Sequence, residues 1–277
     1  KKTHDTTVPE ELRGIVEDII DLIVIGSHRP LIPRACYYAF GEIARQGALC
    51  YLGQYRKALT ADVQKKLKKL INSKDEAIDL LLEQLHDSKL PNNVKEKIIT
   101  SLSMLCLHEP SEAILQKIID SLFGLSTDKA EEIQFTIGEA LSCICGGTLY
   151  CTLYQNDEYE LIFNRPLTDE QLEYEQSLRK KFTTSTLTQI IHNGVLNPKK
   201  IVRQSSSLWL LATTRYCSDS PYLRTYLKDI QKAFSILLTD TNEITIEVAG
   251  RGMAYVYQLG DKQTQKELVE SLMNSLA

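Results

Sequence analysis

The feature of this sequence that most constrains its fold is a recurring pair of amphipathic helices. Apolar residues recur at helical spacing along almost the whole chain, and the predicted helices recur as a leading helix, a polar turn and a trailing helix. The clearest copy runs from Asn197 to Trp209, with the turn asparagine five residues before the β-branched Val202. Asp128 and Ile133 repeat this offset. Because such a pair has apolar stripes on more than one side, it buries them only by stacking against neighbouring pairs.

The β-branched residues that open the trailing helices give the period of the repeat. Successive landmarks are 62, 39, 69 and 44 residues apart; they are Ile32, Val94, Ile133, Val202 and Ile246. Two steps match the period of about 40–47 residues of HEAT and armadillo repeats, and the other two exceed it by an insertion. The sequence therefore predicts an all-α, HEAT/armadillo-like α-solenoid of about five helix pairs, as one array over residues 1–277 with two insertions.

The repeat also predicts where each helix lies. Leading helices are expected near 9–25, 76–87, 112–125, 178–194 and 222–239. Trailing helices are expected near 32–47, 92–107, 130–146, 199–216 and 243–259, and a further helix opens at 262.

Particular residues on the trailing helices have predicted structural roles. Small residues allow neighbouring helices to approach closely, and they are Gly41, Ala140, Ser206 and Gly252. Trp209 should be buried between repeats. Asn197 and Asp128 should cap the trailing helices. Arg203 or Lys95 should reach an acidic group of a neighbouring turn.

Composition excludes several classes of protein. With 13 glycines and 8 prolines in 277 residues, the chain falls below the average of about 7% and 5%, which argues against an all-β or a disordered protein. A net charge of −4 argues against a general nucleic-acid binder. The longest apolar run, from Ile19 to Ile25, is far shorter than the ~20 residues of a membrane span. The first residues contain no signal-peptide core, and the chain begins without methionine, so a fragment of a longer protein is expected.

Motifs for catalysis, cofactors and metals are not found. Gly250-x-Gly252 lies inside a predicted helix and lacks the third glycine of a dinucleotide loop. The seven cysteines are mostly set among apolar residues, which is typical of reduced, buried thiols in an intracellular protein. Cys143-x-Cys145 followed by Cys151 lacks the spacing of a zinc site. His28, His86 and His108 lie at predicted helix C-termini, where we expect them to bond free carbonyls. We therefore expect no enzyme, no catalytic residue, no cofactor and no metal.

The two insertions differ in charge from the rest of the chain. The segment 48–75 contains seven Lys/Arg and two Asp, a net charge of +5, and the segment 147–177 contains seven acids and one Arg, a net charge of −6. Both are interpreted either as solvated excursions or as elements that bind a partner, because insertions in helical repeats tend to lie on a binding face. The candidate partner-binding residues are Lys65, Lys66, Lys68, Lys69, Tyr154, Glu158, Tyr159 and Glu160.

Several stretches resemble a known family. The residues Glu132-Ile-Gln-Phe-Thr-Ile-Gly-Glu-Ala-Leu-Ser-Cys143, the run from Asn197 through Leu211, and Val248-Ala-Gly-Arg-Gly-Met-Ala-Tyr-Val-Tyr-Gln-Leu-Gly-Asp261 resemble, in the same order, parts of the proteasome adaptor and scaffold family, whose members are very long HEAT-repeat chains. The resemblance covers roughly 132–277 by these stretches and 1–131 by repeat period alone. It identifies the chain as an internal or C-terminal-half fragment.

The resemblance implies a non-enzymatic adaptor or scaffold. Such proteins bind both the core and the regulatory particle of the proteasome, and they act in its assembly, quality control or localisation. It implies a location in cytoplasm and nucleus, with peripheral association with endomembranes through the full-length protein. No partner among nucleic acids is expected. A nuclear transport receptor and a phosphatase-type HEAT scaffold are the alternatives, although the irregular repeat steps fit the second of these less well.

Overall fold

A computed structural model describes residues 33–45, 74–108, 110–153 and 167–276. Each regular element in these ranges is a helix. The helices are α1 (Pro33–Arg45), α2 (Lys74–Leu85), α3 (Asn92–Leu105), α4 (Glu112–Gly124), α5 (Glu131–Tyr150), α6 (Asp169–Thr188), α7 (Lys200–Tyr216), α8 (Pro221–Thr225), α9 (Leu227–Leu237), α10 (Glu243–Leu259) and α11 (Lys262–Leu276). Between α6 and α7 lies a seven-residue π-helical segment, Gln189–Val195. The leading helix predicted at 9–25 lies outside the described residues.

The helices follow the predicted alternation, but the leading helix predicted at 222–239 is divided at Tyr226 into α8 and α9, and two other helices differ at one end. Helix α6 begins at Asp169 and not at 178, because Thr168 and Gln171 form a reciprocal cap. The Thr168 hydroxyl accepts from the Gln171 backbone N–H at 3.3 Å, and the Gln171 side chain accepts from the Thr168 N–H at 3.0 Å. Helix α5 continues to Tyr150, past the predicted end at 146, through a kink at Gly147.

The described residues form two compact units. The first contains the residues up to Ile118 with the short stretch 167–172, and the second contains 119–153 and 173–276. In the first unit, trailing helices α1 and α3 pack closely, and α2 packs on α3. A Cβ on Gly41 would lie 2.9 Å from both Ser101 and Met104, so the small residue predicted there is what permits this approach. The prediction of one array over residues 1–277 stays a prediction.

The second unit is a stack of helix pairs. The trailing helices α5, α7 and α10 pack on one another in chain order, while α9 packs on α10 and on the π-helical segment. Gly252 faces the ring of Phe234, where a Cβ would lie 2.3 Å from the ring, and Gly194 faces Ser206 equally closely. Because each helix pair covers the apolar face of the next, the predicted fold class, an all-α HEAT/armadillo-like repeat, is confirmed.

The core of the second unit contains Trp209, as predicted. Its side chain is 1% exposed, and its ring meets that of Phe123 edge-on, with centroids 5.2 Å apart. A Cβ on Gly138 of α5 would lie 3.4 Å from the Trp209 Cα. The indole therefore lies where α4, α5 and α7 meet.

The polar turn residues that mark the repeat share one geometry. Each accepts a hydrogen bond from the backbone N–H two residues further on, at 2.9–3.0 Å; they are Asp87, Asp128, Asn197 and Asp240. The prediction that Asn197 and Asp128 cap the trailing helices is wrong, because Ala130 and Lys199, which donate these bonds in two of the turns, are the N-cap residues themselves. These side chains thus order the turn that precedes each trailing helix and do not cap the helix itself.

Candidate functional site

The candidate residues of the two insertions lie outside the described residues. Lys65, Lys66, Lys68 and Lys69 belong to 46–73, and Tyr154, Glu158, Tyr159 and Glu160 belong to 154–166. Their roles stay predictions. The surface that the structure does describe has a different candidate, a groove on the trailing helices of the second unit.

This groove runs across α5, α7 and α10 and has a volume of about 400 Å³. Its floor is apolar, with Leu208, Leu211 and Ala212 of α7 at its centre. Phe135 of α5 forms one wall, and its side chain is 53% exposed although it is large and apolar. Tyr255 of α10 lies on the other wall. An apolar floor with an exposed aromatic wall is suited to receiving an apolar side chain from another molecule.

The polar groups of the groove carry both signs of charge. Arg215 of α7 lies over the ring of Tyr216, with 5.0 Å between its guanidinium carbon and the ring centroid. Arg251 of α10 bonds Glu247, one helical turn earlier, at 2.6 Å on the exposed surface. Glu139 also lines the groove. Partial burial, followed by the nearby charge of Glu139, raises the pKa of Tyr216, so its hydroxyl is a neutral donor at neutral pH.

The groove was missed in the sequence, although one signal for it is present. Phe135 lies two residues from both Ile133 and Ile137, which are buried at 0% exposure. A helical side chain two positions from the buried stripe points away from the core. Apart from Phe135, the apolar residues of this helix before Gly147 are buried. A large apolar residue away from that buried stripe indicates an exposed contact surface.

A polar edge accompanies the groove along the turns of the second unit. Arg203 of α7 donates to Asp240 of the next turn at 2.6 Å and to the backbone carbonyl of Asn197 in its own turn at 2.9 Å. The predicted reach of Arg203 to a neighbouring acidic group is thereby confirmed. Hydrogen bonding from Arg203 lowers the pKa of Asp240, and the same contact raises the pKa of Arg203. Gln134, at the equivalent position of α5, bonds only its own turn, at the carbonyls of Leu125 and Asp128.

The most deeply buried charged group of the second unit is Arg179 of α6. Its side chain is fully buried and bonds Glu175 at 3.0 Å and the carbonyl of Ile144 at 2.8 Å. The carbonyl belongs to the last regular turn of α5 before Gly147, which has φ of 55°. A Cβ at Gly147 would lie 2.3 Å from the Arg179 guanidinium. Glycine is therefore required there both by its backbone conformation and by the arginine that fills the space.

Four cysteines surround this kinked end of α5. All four are buried, and none of the five cysteines whose side chains the structure describes is in a disulfide; the four are Cys143, Cys145, Cys151 and Cys217. Buried thiols were predicted, and this prediction is confirmed for them.

His108, predicted to bond a helix-end carbonyl, contacts the carbonyl of Arg45 at the end of α1 at 2.9 Å. The part of the chain that the structure describes contains no cluster of three or more His, Cys, Asp or Glu side chains suited to a metal ion.

These features define a helical-repeat protein with an accessible groove, a class whose surfaces commonly bind other proteins. No helix in the described ranges combines the length and the apolar character that crossing a bilayer would need. No family model matches the chain.

Comparison with known proteins finds relatives by sequence and neighbours among solved structures. The chain is 29% identical over 259 residues, 91% of its length, to the human proteasome adapter and scaffold protein ECM29. It is 25% identical over 73% of its length to the fission yeast proteasome component ecm29. A designed armadillo repeat protein in complex with a (KR)4 peptide aligns over 92% of the chain at 14% identity, with a TM-score of 0.38.

The resemblance to the proteasome adaptor and scaffold family, predicted from the stretches after residue 131, is confirmed by these relatives. The chain spans 12% of the length of the human relative and 11% of the fission yeast one.

Proposed function

We propose that this chain is a non-enzymatic, helical-repeat part of a proteasome adaptor and scaffold. The observation that carries the proposal is the similarity to the human adapter and scaffold protein over 91% of the chain. A budding yeast proteasome component is also similar, at 24% identity over 68% of the chain. We further propose that its partners are proteins of the core and regulatory particles, and that it acts in the assembly, quality control or localisation of the proteasome. The proposed location is the cytoplasm and the nucleus, with peripheral contact to endomembranes.

The groove is the described surface that best supports a role in binding. Its floor is apolar and its rim carries Arg215 and Arg251. The side chains of Arg251 and Glu247, which bond each other, are 69% and 65% exposed. Such an exposed pair contributes little to stability. Arg251 can therefore exchange this partner for a carboxylate of another protein at small cost. An extended segment with an apolar side chain beside an acidic one fits these groups.

Binding to purified particles tests the proposal. We expect the immobilised chain to retain purified proteasomes, and Arg215→Glu/Arg251→Glu to reduce that binding at least about tenfold, since one lost charged contact corresponds to roughly 1.5–3 kcal/mol. The matched control is Lys228→Glu/Lys232→Glu on α9, which makes the same change in charge at side chains 72% and 77% exposed. If the chain retains no particle, the proposed function is wrong; if both variants bind alike, the groove is not the contact.

The basic insertion supplies a separate arm of the same experiment. Changing Lys65, Lys66, Lys68 and Lys69 to glutamate should weaken binding in a salt-sensitive way while leaving the helical circular dichroism unchanged. Unaltered binding at low salt would identify the insertion as a solvated excursion.

A further inference from the structure

The kink in α5 brings together two cysteines that a straight helix would separate. Cys143 and Cys151 are eight residues apart, which corresponds to roughly 12 Å along a regular α-helix. At Gly147 the backbone leaves helical geometry, and the chain folds back so closely that a Cβ on Gly146 would lie 2.5 Å from the backbone nitrogen of Cys151. The two sulfur atoms are consequently only 3.9 Å apart.

Cys151 is the cysteine of the pair whose thiol ionises more readily. Hydrogen bonding with Cys143, followed by hydrogen bonding with Cys217, lowers the pKa of the Cys151 thiol well below its usual value. Arg179 favours the thiolate further. Desolvation by burial instead raises the pKa of the nearby Cys145 to about 12. Thiolates, and not thiols, are the nucleophiles in cysteine chemistry.

Cys151 is also the least deeply buried of the cysteines whose side chains the structure describes. Among the described cysteines it is 3% exposed, whereas the other four are at 0%. It lies at the C-terminal end of α5, next to Thr152 and Leu153, which are half-buried. Because Cys151 is not completely enclosed, we expect a small neutral oxidant such as hydrogen peroxide to react there before it reacts at the cysteines with 0% exposure.

We propose that Cys151 and Cys143 are an oxidation site, at which peroxide converts the two neighbouring thiols into a disulfide. The Cys151 thiolate attacks one oxygen of hydrogen peroxide, the O–O bond breaks, and a sulfenic acid and hydroxide form. The sulfur of Cys143 then attacks the Cys151 sulfur, the S–O bond breaks, and the proton of Cys143 leaves with the hydroxyl group as water. The two sulfurs have lost two electrons to the peroxide. The two sulfurs start from 3.9 Å, close to contact distance, and form a disulfide bond of about 2.05 Å.

Peptide mapping of the 277-residue chain tests this site. The chain is treated with hydrogen peroxide and then unfolded in denaturant, the remaining thiols are blocked with a maleimide, and chymotrypsin is used to cleave at Leu149 or Tyr150, between the two cysteines. The mapping is done in Cys145→Ser, because Cys143 and Cys145 otherwise share one fragment. We expect a product linking Cys143 to Cys151, the loss of two maleimide sites, and their recovery on treatment with a thiol reductant.

Two serine variants make the assignment specific. Cys143→Ser should abolish the cross-link and leave Cys151 as a sulfenic acid, while Cys217→Ser, which keeps a hydroxyl donor, should still form it. Circular dichroism checks that each variant is folded. A cross-link between Cys151 and Cys217, or thiol loss at Cys106 as fast as at Cys151, would overturn the proposal.

Discussion

Two glutamate–arginine pairs of the second unit have the same helical spacing, but one pair is buried and the other is exposed to solvent. Glu175–Arg179 on α6 and Glu247–Arg251 on α10 are both four residues apart, with N–O distances of 3.0 and 2.6 Å. The side chains of the first pair are at most 5% exposed, and those of the second are at least 65% exposed. Distance alone would rank the exposed pair as the stronger. Burial reverses this order for stability, because an exposed pair is screened by water and a buried charge has no substitute partner.

This difference in burial distinguishes an arginine that holds the fold together from one that can bind another molecule. Arg179 fills the space left by Gly147 and bonds the carbonyl of Ile144, so it is bound to the kinked end of α5. Arg251 lines the groove and bonds the exposed Glu247. Arg203 is intermediate, since its side chain is 21% exposed while its partner Asp240 is 4% exposed. We expect the cost of removing each contact to follow this order of burial.

The largest effect is expected for Arg179→Ala. The variant leaves the Glu175 carboxylate buried without its cation and the Ile144 carbonyl without a donor, which should lower the free energy of unfolding by about 3–5 kcal/mol. Urea denaturation followed by circular dichroism measures the loss. Arg251→Ala is the matched control and should cost less than about 1 kcal/mol. Equal losses for the two variants would contradict the ranking by burial.

Two glycine variants, one beside each arginine, compare the same two places through the backbone. Gly147→Ala should destabilise the protein by about 1–3 kcal/mol from its positive φ alone, with a further cost where the Cβ meets Arg179. Gly250→Ala, next to Arg251, has open space around the new Cβ and should stabilise α10 by about 0.5–1 kcal/mol. The sign of each shift is read from the same urea titration. A neutral or stabilising Gly147→Ala would show that the kink is not required.

The sequence predicted the repeat well because its signals are local. The polar turn residue and the β-branched residue near the start of each trailing helix are five to seven positions apart, and the described trailing helices begin close to their expected residues. Trp209 and Gly252 lie on those helices and are placed by the same pattern. The helix pairing, the buried tryptophan and the bond from Arg203 to the next turn could all be stated in advance.

The kinked end of α5 could not be predicted from local pattern. Its structure depends on Arg179, which is 32 residues after Gly147 in the sequence and is buried, contrary to the usual exposure of arginine. Cys143 and Cys151 come together only because the helix folds back there. The groove was missed for a related reason, since its walls come from three helices, and the exposure of Phe135 is a property of their stacking.

The intermediate pair, Arg203–Asp240, should show its contribution to stability as a dependence on pH. The pKa of Asp240 is lowered in the folded protein by hydrogen bonding from Arg203. Its contribution to stability, about 1 kcal/mol for a charged bond that is partly exposed, is therefore complete above the unfolded pKa of about 3.9. The contribution is lost as pH falls through the lowered folded pKa. Asp240→Asn should remove this acid-side slope in unfolding experiments between about pH 5 and pH 2, and an unchanged slope would contradict the assignment.

Double-mutant cycles on the two equally spaced pairs test the central structural claim most directly. Alanine is placed at Glu175 and Arg179 singly and together, and at Glu247 and Arg251 in the same way, and the free energy of unfolding is measured for every variant. The coupling energy should exceed about 1.5 kcal/mol for the buried pair and stay below about 0.5 kcal/mol for the exposed one. Similar coupling energies in the two cycles, or a larger one for the exposed pair, would contradict the claim that burial makes Arg179 structural and leaves Arg251 available for binding.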